Sequence, residues 1–347
     1  GYTVSGGFTA GYGTDYTFTV DIAEGYSKTE DFMVDVNGMP LRSDSNTYTY
    51  PSVESDLYIS VYGVADITPP SAEIEIGTNK FNSFMNAVTF GLFFKETQTV
   101  KITASDAGSG LAKVEYLISE TAFANKEAVT GDFTELTITD GKASFNIEPN
   151  KKAFVYVRVT DVSGNVAVIN SDGIVIYTDA EKITESENIV FGEEPSFDVA
   201  FNGNTVREVY INNTLVPEYY LDISENKIQI SPVYISQEIG AGEYTVRVLF
   251  NPLGEEYSDG NGSAPSEVVM KLTVEKMTAE ITIPDGQNKT YDGKPIDNIH
   301  YVASTDGGKI LEYKPVGADD SAYTAMAPTA AGKYTVRVST SETDRYK

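Results

Sequence analysis

The sequence predicts an all-β protein built from several small sandwich domains. Apolar and polar residues alternate along most of the chain, as in residues 16–22 and 100–104, and a period of two is typical of half-buried strands. Helical periodicity is nearly absent, and we expect only short helices or turns at residues 119–126 and 236–239. An eight-residue segment also recurs 90 residues later, which indicates similar domains in tandem.

Composition excludes several classes of partner and site. The 347 residues include 25 Lys and Arg against 51 Asp and Glu, a net charge of −26, with no Cys and no Trp. Such a charge repels phosphate backbones and anionic lipids, so we expect neither nucleic-acid binding nor direct membrane insertion, and a monomer kept apart from its neighbours. Without Cys there is no disulfide, thiolate nucleophile or sulfur metal ligand.

Proline and polar stretches divide the chain. Pro69 and Pro70 follow an apolar strand and stop it from pairing further, a polar acidic stretch follows residue 178, and a strand ends at residues 275–277. The sequence therefore predicts four modules, which we number 1 to 4: residues 1–67, 68–178, 179–276 and 277–347.

The internal repeat indicates the type of sandwich. Residues 241–248 read Ala-Gly-Glu-Tyr-Thr-Val-Arg-Val, and residues 331–338 differ only at Lys333. The glycine turns the chain into a late strand, and Tyr244 and Tyr334 lie near the strand start, where each hydroxyl can reach back to a loop carbonyl. This tyrosine corner is typical of immunoglobulin-like (Ig-like) sandwiches.

Modules 2 and 3 resemble bacterial Ig-like families. Module 2 opens with a double proline, carries Ala-x-Asp-x-Gly-Ser-Gly at residues 104–110 and ends with Asp-x-x-Gly-Asn at residues 161–165. Module 3 resembles the Ig-like module that accompanies bacterial cellulases and other glycan-active proteins, through residues 201–205, 209–215 and 219–220. Asn-Gly turns alone can also produce such hairpins.

The outer modules resemble repeats of bacterial surface proteins. Module 4 looks like the repeat marked by Tyr-Asp-Gly-Lys, here residues 291–294, and we expect its last strand to be missing. Module 1 resembles the short repeats of Gram-positive surface proteins, through residues 12–16 and 36–38. Together these resemblances imply the stalk or adhesin of a cell-surface protein.

The residues required for common enzyme chemistry are missing. His300 is the single imidazole, no Gly-x-Ser-x-Gly elbow occurs, and three-His zinc sites are excluded by count. Glycoside hydrolysis needs only two carboxylates, but small sandwiches without Trp offer no large cleft to hold a sugar. We therefore expect no enzyme activity.

Calcium is the one cofactor that the sequence suggests. Carboxylate and amide oxygens in acidic loops are the ligands that it prefers. The candidate ligands are Asp106, Asp161 and Asn165 in module 2, and Asp259 and Asn261 in module 3. The alternative, which we favour at any single site, is that these residues shape turns.

Tyrosines could form a carbohydrate-binding surface, because sugar rings stack on flat aromatic side chains. The candidates in module 3 are Tyr210, Tyr219, Tyr220 and Tyr234, and module 1 has a second group of Tyr48, Tyr50, Tyr58 and Tyr62. Ordinary packing in strands is the alternative, because Tyr is a good strand former and the chain has no Trp.

The sequence also allows a covalent crosslink within module 2. An isopeptide bond needs a Lys on an early strand, an Asn on a late strand and a buried acid between them, and Lys101, Asn170 and Glu115 occur in a suitable order.

These patterns favour a non-catalytic structural or adhesive segment of a secreted or wall-attached bacterial protein. Its partners would be a glycan or a protein of a host or cell surface. The alternative is a carbohydrate-binding accessory region of an extracellular glycan-degrading enzyme. Because the chain starts at Gly1 with neither Met nor a signal peptide, we expect targeting segments in a longer parent protein.

Overall fold

Strands follow one another along the whole chain. The structure is a computed structural model that describes residues 1–258, 264–297 and 299–347. It separates into two compact units, which we call the N-terminal unit, Gly1–Thr178 with Pro252–Ala264, and the C-terminal unit, Asp179–Asn251 with Pro265–Lys347.

The N-terminal unit begins with two antiparallel three-stranded sheets, ordered β1-β2-β5 and β4-β3-β6. Their strands are β1 (Tyr2–Gly6), β2 (Tyr16–Ile22), β3 (Tyr26–Val36), β4 (Met39–Leu41), β5 (Thr47–Tyr50) and β6 (Ile59–Asp66). The predicted alternation is confirmed in β2, where Phe18 and Val20 are each 1% exposed and pack with Val34, Val36 and Tyr48.

Two larger sheets complete the N-terminal unit. The strands are β7 (Ser71–Ile76), β8 (Asn79–Phe81), β9 (Phe90–Phe94), β10 (Gln98–Ser105), β11 (Leu111–Ser119), β12 (Thr134–Leu136), β13 (Lys142–Ile147), β14 (Lys151–Asp161), β15 (Val166–Asn170) and β16 (Gly173–Ile176). One sheet is ordered β13-β10-β7-β8, and the other β12-β11-β14-β16-β9 with β15 on β14. Their inner faces, including Ile74, Ile102 and Val157, form one apolar core.

The C-terminal unit begins with a second sandwich. Its strands are β17 (Glu181–Lys182), β18 (Ser186–Val190), β19 (Ser196–Ala200), β20 (Thr205–Ile211), β21 (Thr214–Leu215), β22 (Leu221–Ser224), β23 (Lys227–Ile230), β24 (Gly242–Asn251) and β25 (Val268–Glu275). The sheets are ordered β17-β19-β23-β22 and β18-β25-β24-β20-β21. β18 runs parallel to β25, and the other pairs are antiparallel.

The remaining strands are β26 (Ile281–Thr282), β27 (Val302–Ala303), β28 (Lys309–Pro315) and β29 (Tyr334–Thr340). They form two two-stranded antiparallel sheets, β26-β27 and β28-β29.

Helical segments are short. In the first region expected to hold a short helix or turn, residues 119–126, Ser119 still belongs to β11, and a 3₁₀ turn begins at Lys126 and ends at Ala128. The second expectation is confirmed: helix α1 (Pro232–Tyr234) leads into a π turn at Ile235–Ile239. Further short turns lie at Glu218–Tyr220, Pro252–Gly254 and Asp320–Ala322. Within the described ranges, no helix combines the length and apolar character needed to span a bilayer.

The repeated segments form the predicted tyrosine corners. The Tyr244 hydroxyl donates to the carbonyl of Ile239 at 2.8 Å, and the Tyr334 hydroxyl donates to that of Ala330 at 3.1 Å. With paired antiparallel sheets and these corners, the chain is an all-β protein of tandem Ig-like sandwiches, as the sequence predicts. The division into four modules stays a prediction.

Candidate metal centre

Three carboxylates meet where β6 leads into the second part of the N-terminal unit. Asp66 is the last residue of β6, Asp106 follows β10, and Asp161 ends β14. One oxygen from each carboxylate lies within 4.8 Å of the other two, and no other acidic cluster of this kind was found in the described residues. The sequence singled out Asp106 and Asp161, and the structure brings them together.

Asp66 is the member of the cluster that sequence reasoning missed. Its one available signal was its position near the end of module 1, shortly before the double proline Pro69-Pro70 that opens module 2. The carboxylate accepts the Thr68 N–H at 2.9 Å and the Ser109 N–H at 2.8 Å, so Asp66 is fixed to the loop that follows β10.

Backbone amides hold the other two carboxylates in place. Asp106 Oδ2 accepts the N–H groups of Gly108 at 3.0 Å and Gly110 at 2.7 Å. Asp161 Oδ1 accepts the N–H of Asn165 at 2.8 Å. The backbone of each turn therefore holds its carboxylate in place. Asp106 and Asp161 can shape turns and still offer oxygens to a cation, so the two predicted roles are compatible.

Asn165 connects the cluster to β6. Its Nδ2 donates to Asp161 Oδ2 at 2.7 Å and to the backbone carbonyl of Asp66 at 3.1 Å. Because Nδ2 is used in this way, Oδ1 is the side-chain atom through which Asn165 could bind a cation.

A glycine makes the close approach possible. A Cβ added to Gly108 would lie 2.1 Å from Oδ2 of Asp66 and 2.4 Å from its Cγ. Gly110 has a φ of +87°, a conformation that side chains disfavour. The Gly-Ser-Gly turn of the sequence motif is therefore required for the Asp66 carboxylate to fit.

The electrostatics of the cluster favour a cation. Asp66 is 5% exposed, Asp161 is 1% exposed and Asp106 is half-buried. Among the residues described, no Lys or Arg forms an ion pair with any of the three. The Thr68 N–H lowers the pKa of Asp66, against the opposing effect of burial, so the carboxylate is charged at neutral pH.

The donor set fits Ca²⁺. The ion takes six to eight hard oxygen ligands in a flexible geometry, and carboxylates, carbonyls and water all serve. Beside the cluster lies a cleft of about 350 Å³ that Asp66 and Asp106 line together with the exposed Glu24. The second predicted calcium site, Asp259 and Asn261, lies outside the described residues.

The predicted carbohydrate-binding tyrosines are mostly packed against each other. Tyr219 is 78% exposed, with its ring centroid 4.4 Å from that of Tyr220, which in turn lies 5.2 Å from Tyr234. Tyr234 is only 3% exposed, and burial raises the pKa of its hydroxyl. Tyr210 is half-buried on β20, under the Arg247 guanidinium at 4.7 Å. Tyr219 is thus the one broadly exposed ring of these four.

The group in module 1 is also divided. Tyr48 is a core residue at 3% exposure and Tyr50 is half-buried, whereas Tyr58 and Tyr62 are 74% and 52% exposed.

The isopeptide hypothesis is wrong. Lys101 is exposed and pairs with Glu75 at 2.8 Å. Asn170 is fully buried and bonds through both side-chain atoms to the backbone of Met85. Glu115 pairs instead with Arg158 at 2.8 Å and Lys113 at 2.6 Å. His300, the single imidazole, is exposed.

Comparison with known proteins finds solved structures of low overall similarity. No family model matches the chain, and no curated protein matches it. A search of solved structures finds the N-terminal eight Ig domains of Down Syndrome Cell Adhesion Molecule at 12% identity, covering 95% of this chain and 48% of that one, with a TM-score of 0.21. This chain thus spans about half of that structure.

Two further structures have similar scores. The fibronectin(III)-like modules of Clostridium thermocellum CbhA are 9% identical, covering 58% of this chain and 94% of that one, with a TM-score of 0.20. Murine CEACAM1b is 12% identical, covering 53% of this chain and 94% of that one, with a TM-score of 0.26.

Proposed function

We propose that the chain is a non-catalytic structural and adhesive segment of a secreted or wall-attached surface protein, and that calcium stiffens it where module 1 joins module 2. The observation that carries this proposal is the three-carboxylate cluster, in which two members are at least 95% buried without a Lys or Arg partner among the described residues. Asp66 comes from the end of module 1, whereas Asp106, directly after β10, and Asp161, the last residue of β14, belong to module 2.

The residues of the cluster act by restricting movement. Without a cation, like charges within 4.8 Å repel one another and favour separation of β6 from the loops. A bound Ca²⁺ supplies the positive charge that offsets this repulsion. Asp66, Asp106 and Asp161 would hold it, while the N–H groups of Thr68 and Ser109 keep Asp66 oriented. By restricting the bending between neighbouring modules, the ion would keep the exposed loops at a fixed distance from the cell surface.

The tyrosines support this role over that of a glycan-binding accessory region. A contiguous exposed row would favour sugar stacking, but in the stack of three only Tyr219 is broadly exposed. The proposed partner is a protein or a glycan of a cell or host surface. A glycan array with a Tyr219→Ala variant as control tests the glycan alternative directly.

Calcium titration tests the proposal. Chelator-treated protein is titrated with CaCl₂ in a calorimeter and then heated with and without calcium. At a free calcium concentration about 100 times Kd, binding adds about 2.7 kcal/mol, or about 5–10 °C in the melting temperature of a unit this size. Asp106→Asn keeps an acceptor oxygen for the Gly108 and Gly110 amides but removes the charge, so it should abolish the response. The exposed Asp132→Asn should keep it. An absence of binding heat together with an unchanged melting temperature would refute the calcium site.

A further inference from the structure

The sheet that contains β14, β16 and β9 has an apolar outer face where these three strands lie side by side. In the strand register, Val175 of β16 lies between Lys152 of β14 and Phe93 of β9. Val175 points away from the sandwich core, because its neighbours Ile174 and Ile176 belong to that core. Even so, Val175 is fully buried and Phe93 is 1% exposed. Another segment must therefore cover this face.

The covering segment is the chain that follows β24. From Pro252 onward this chain belongs to the N-terminal unit. Leu253, Glu255 and Tyr257 are half-buried, whereas the alternate residues 254, 256 and 258 are exposed. A period of two is typical of an extended segment that lies with one side against a surface. We call residues 252–258 the strap.

Each half-buried side chain of the strap has a partner on this face. The Tyr257 ring packs edge-on against that of Phe93, with 5.1 Å between the ring centroids. Leu253 packs against the same apolar cluster, whose buried members are Phe93, Val175 and Tyr177. A carboxylate oxygen of Glu255 lies 2.5 Å from Nζ of Lys152. Because residues 255–258 belong to no strand, these side chains hold the strap in place without a strand ladder.

The strap begins with a strained turn. Leu253 has φ +47° and ψ +31°, in the left-handed region that a bulky side chain rarely adopts. Such a conformation is costly and persists only where the surroundings hold it. Here the packing of Leu253 on the apolar cluster supplies the compensating contact. The strain opposes the contacts that close the strap, and residues strained in this way are typical of segments that switch between two positions.

We propose that the strap opens and closes over this face while the sandwich beneath it stays folded, and that it pivots at Leu253. The closed strap keeps Phe93 and Val175 from water and from other molecules. The open strap presents an apolar row beside the Lys152 ammonium, on a protein whose net charge is −26. This device is separate from the proposed calcium junction, since none of its residues belongs to the carboxylate cluster.

Thiol labelling tests the inference, because the chain has no Cys of its own. Two variants of the full chain each carry one thiol at a fully buried position: Val175→Cys under the strap, and Val157→Cys in the sandwich core. A maleimide is added in excess, and mass spectrometry follows the rate of modification. We expect the Val175→Cys thiol to react at least about tenfold faster than the Val157→Cys thiol, because opening of the strap does not require unfolding. Low concentrations of urea should hardly change the first rate and should raise the second steeply, because unfolding exposes far more surface.

Two strap variants, each combined with Val175→Cys, test which contacts keep the strap closed. Tyr257→Ala removes the ring that packs on Phe93 and should raise the labelling rate at least about tenfold. Ser258→Ala changes the exposed neighbour and should alter the rate less than about twofold. Equal effects of these two variants would overturn the proposal.

The two thiols give further outcomes that would overturn it. Equal labelling rates with the same dependence on urea would mean that the face opens only when the sandwich unfolds. A Val175→Cys rate equal to that of the unfolded chain would mean that the strap does not cover the face. This comparison uses the intact strap, so its result does not depend on how the Tyr257→Ala variant folds.

Discussion

Gly108→Ala is the most direct test of how the carboxylate cluster is built. The added methyl group would lie 2.1, 2.4 and 2.7 Å from three atoms of the Asp66 carboxyl group. Ordinary contacts at a Cβ begin at about 3.4 Å, so the carboxylate or the loop must shift by more than an ångström. Gly108 does not have a positive φ, and the cost is therefore steric.

The size of the effect follows from the lack of room. Asp66 is 5% exposed and is fixed on both sides by the N–H groups of Thr68 and Ser109, so it cannot rotate away freely. Inserting a methyl group where the surroundings cannot relax costs about 1–3 kcal/mol. For a unit of this size, that corresponds to a fall in melting temperature of about 2–12 °C.

The control is Gly91→Ala. Gly91 lies in β9, has no positive φ, and has nothing within 4 Å of the position that a Cβ would take. Alanine there should be neutral or slightly stabilising, because it reduces the freedom of the unfolded chain. Since the chain has no Trp, both variants are followed by calorimetry and far-ultraviolet circular dichroism.

The outcome that would refute this reasoning is a Gly108→Ala protein that melts at or above the temperature of Gly91→Ala. The Asp66 carboxylate would then have room that the structure does not show. If the reasoning holds, Gly108→Ala also reduces the stabilisation by calcium, because Asp66 is displaced from the other two carboxylates.

Two further predictions concern other sites. Tyr244→Phe removes the hydroxyl that bonds to the Ile239 carbonyl at 2.8 Å, and urea denaturation should show the free energy of unfolding of the C-terminal unit lowered by about 1 kcal/mol. The control Tyr219→Phe, at a ring that is 78% exposed, should change this free energy by less than about 0.5 kcal/mol. Equal losses in the two variants would contradict the role of the tyrosine corner. Burial raises the pKa of Asp172 above its ordinary value. The ionised carboxylate therefore destabilises the folded state at a pH above the pKa in the folded protein. This destabilisation disappears as the pH falls below the pKa in the unfolded chain, about 3.9. Asp172→Asn should therefore raise the melting temperature at pH 7 and have little effect near pH 3, and a Tm at pH 7 no higher than that of the control Asp132→Asn would refute this.

Much of the fold could be predicted because its signals are local. Alternation in residues 16–22 placed Phe18 and Val20 inside because successive strand residues point to opposite faces. The Gly-x-Tyr repeat predicted both tyrosine corners because they too are local: each hydroxyl bonds to a carbonyl only four or five residues away. The short helix or turn expected at residues 119–126 occurs later than expected, at Lys126–Ala128, where the Asn125 side chain accepts the N–H of Ala128.

The candidate sites were only partly predictable. Asp106 and Asp161 were found because turn motifs mark them, but Asp66 has no motif of its own. Four similar tyrosines could not be ranked from sequence, yet Tyr234 is buried and Tyr219 exposed, because exposure depends on which segments pack over each ring.

The sequence by itself determined the all-β class, the Ig-like corners and the acidic turns, because strand alternation and turn chemistry act over a few neighbouring residues. The tertiary structure decided which distant residues meet. It brought Asp66 at the end of β6 to Asp106 and Asp161, and it paired β24 with both β20 and β25. Such contacts depend on the pairing and register of strands that lie far apart in the chain, whereas alternation and turn chemistry are set by neighbouring residues.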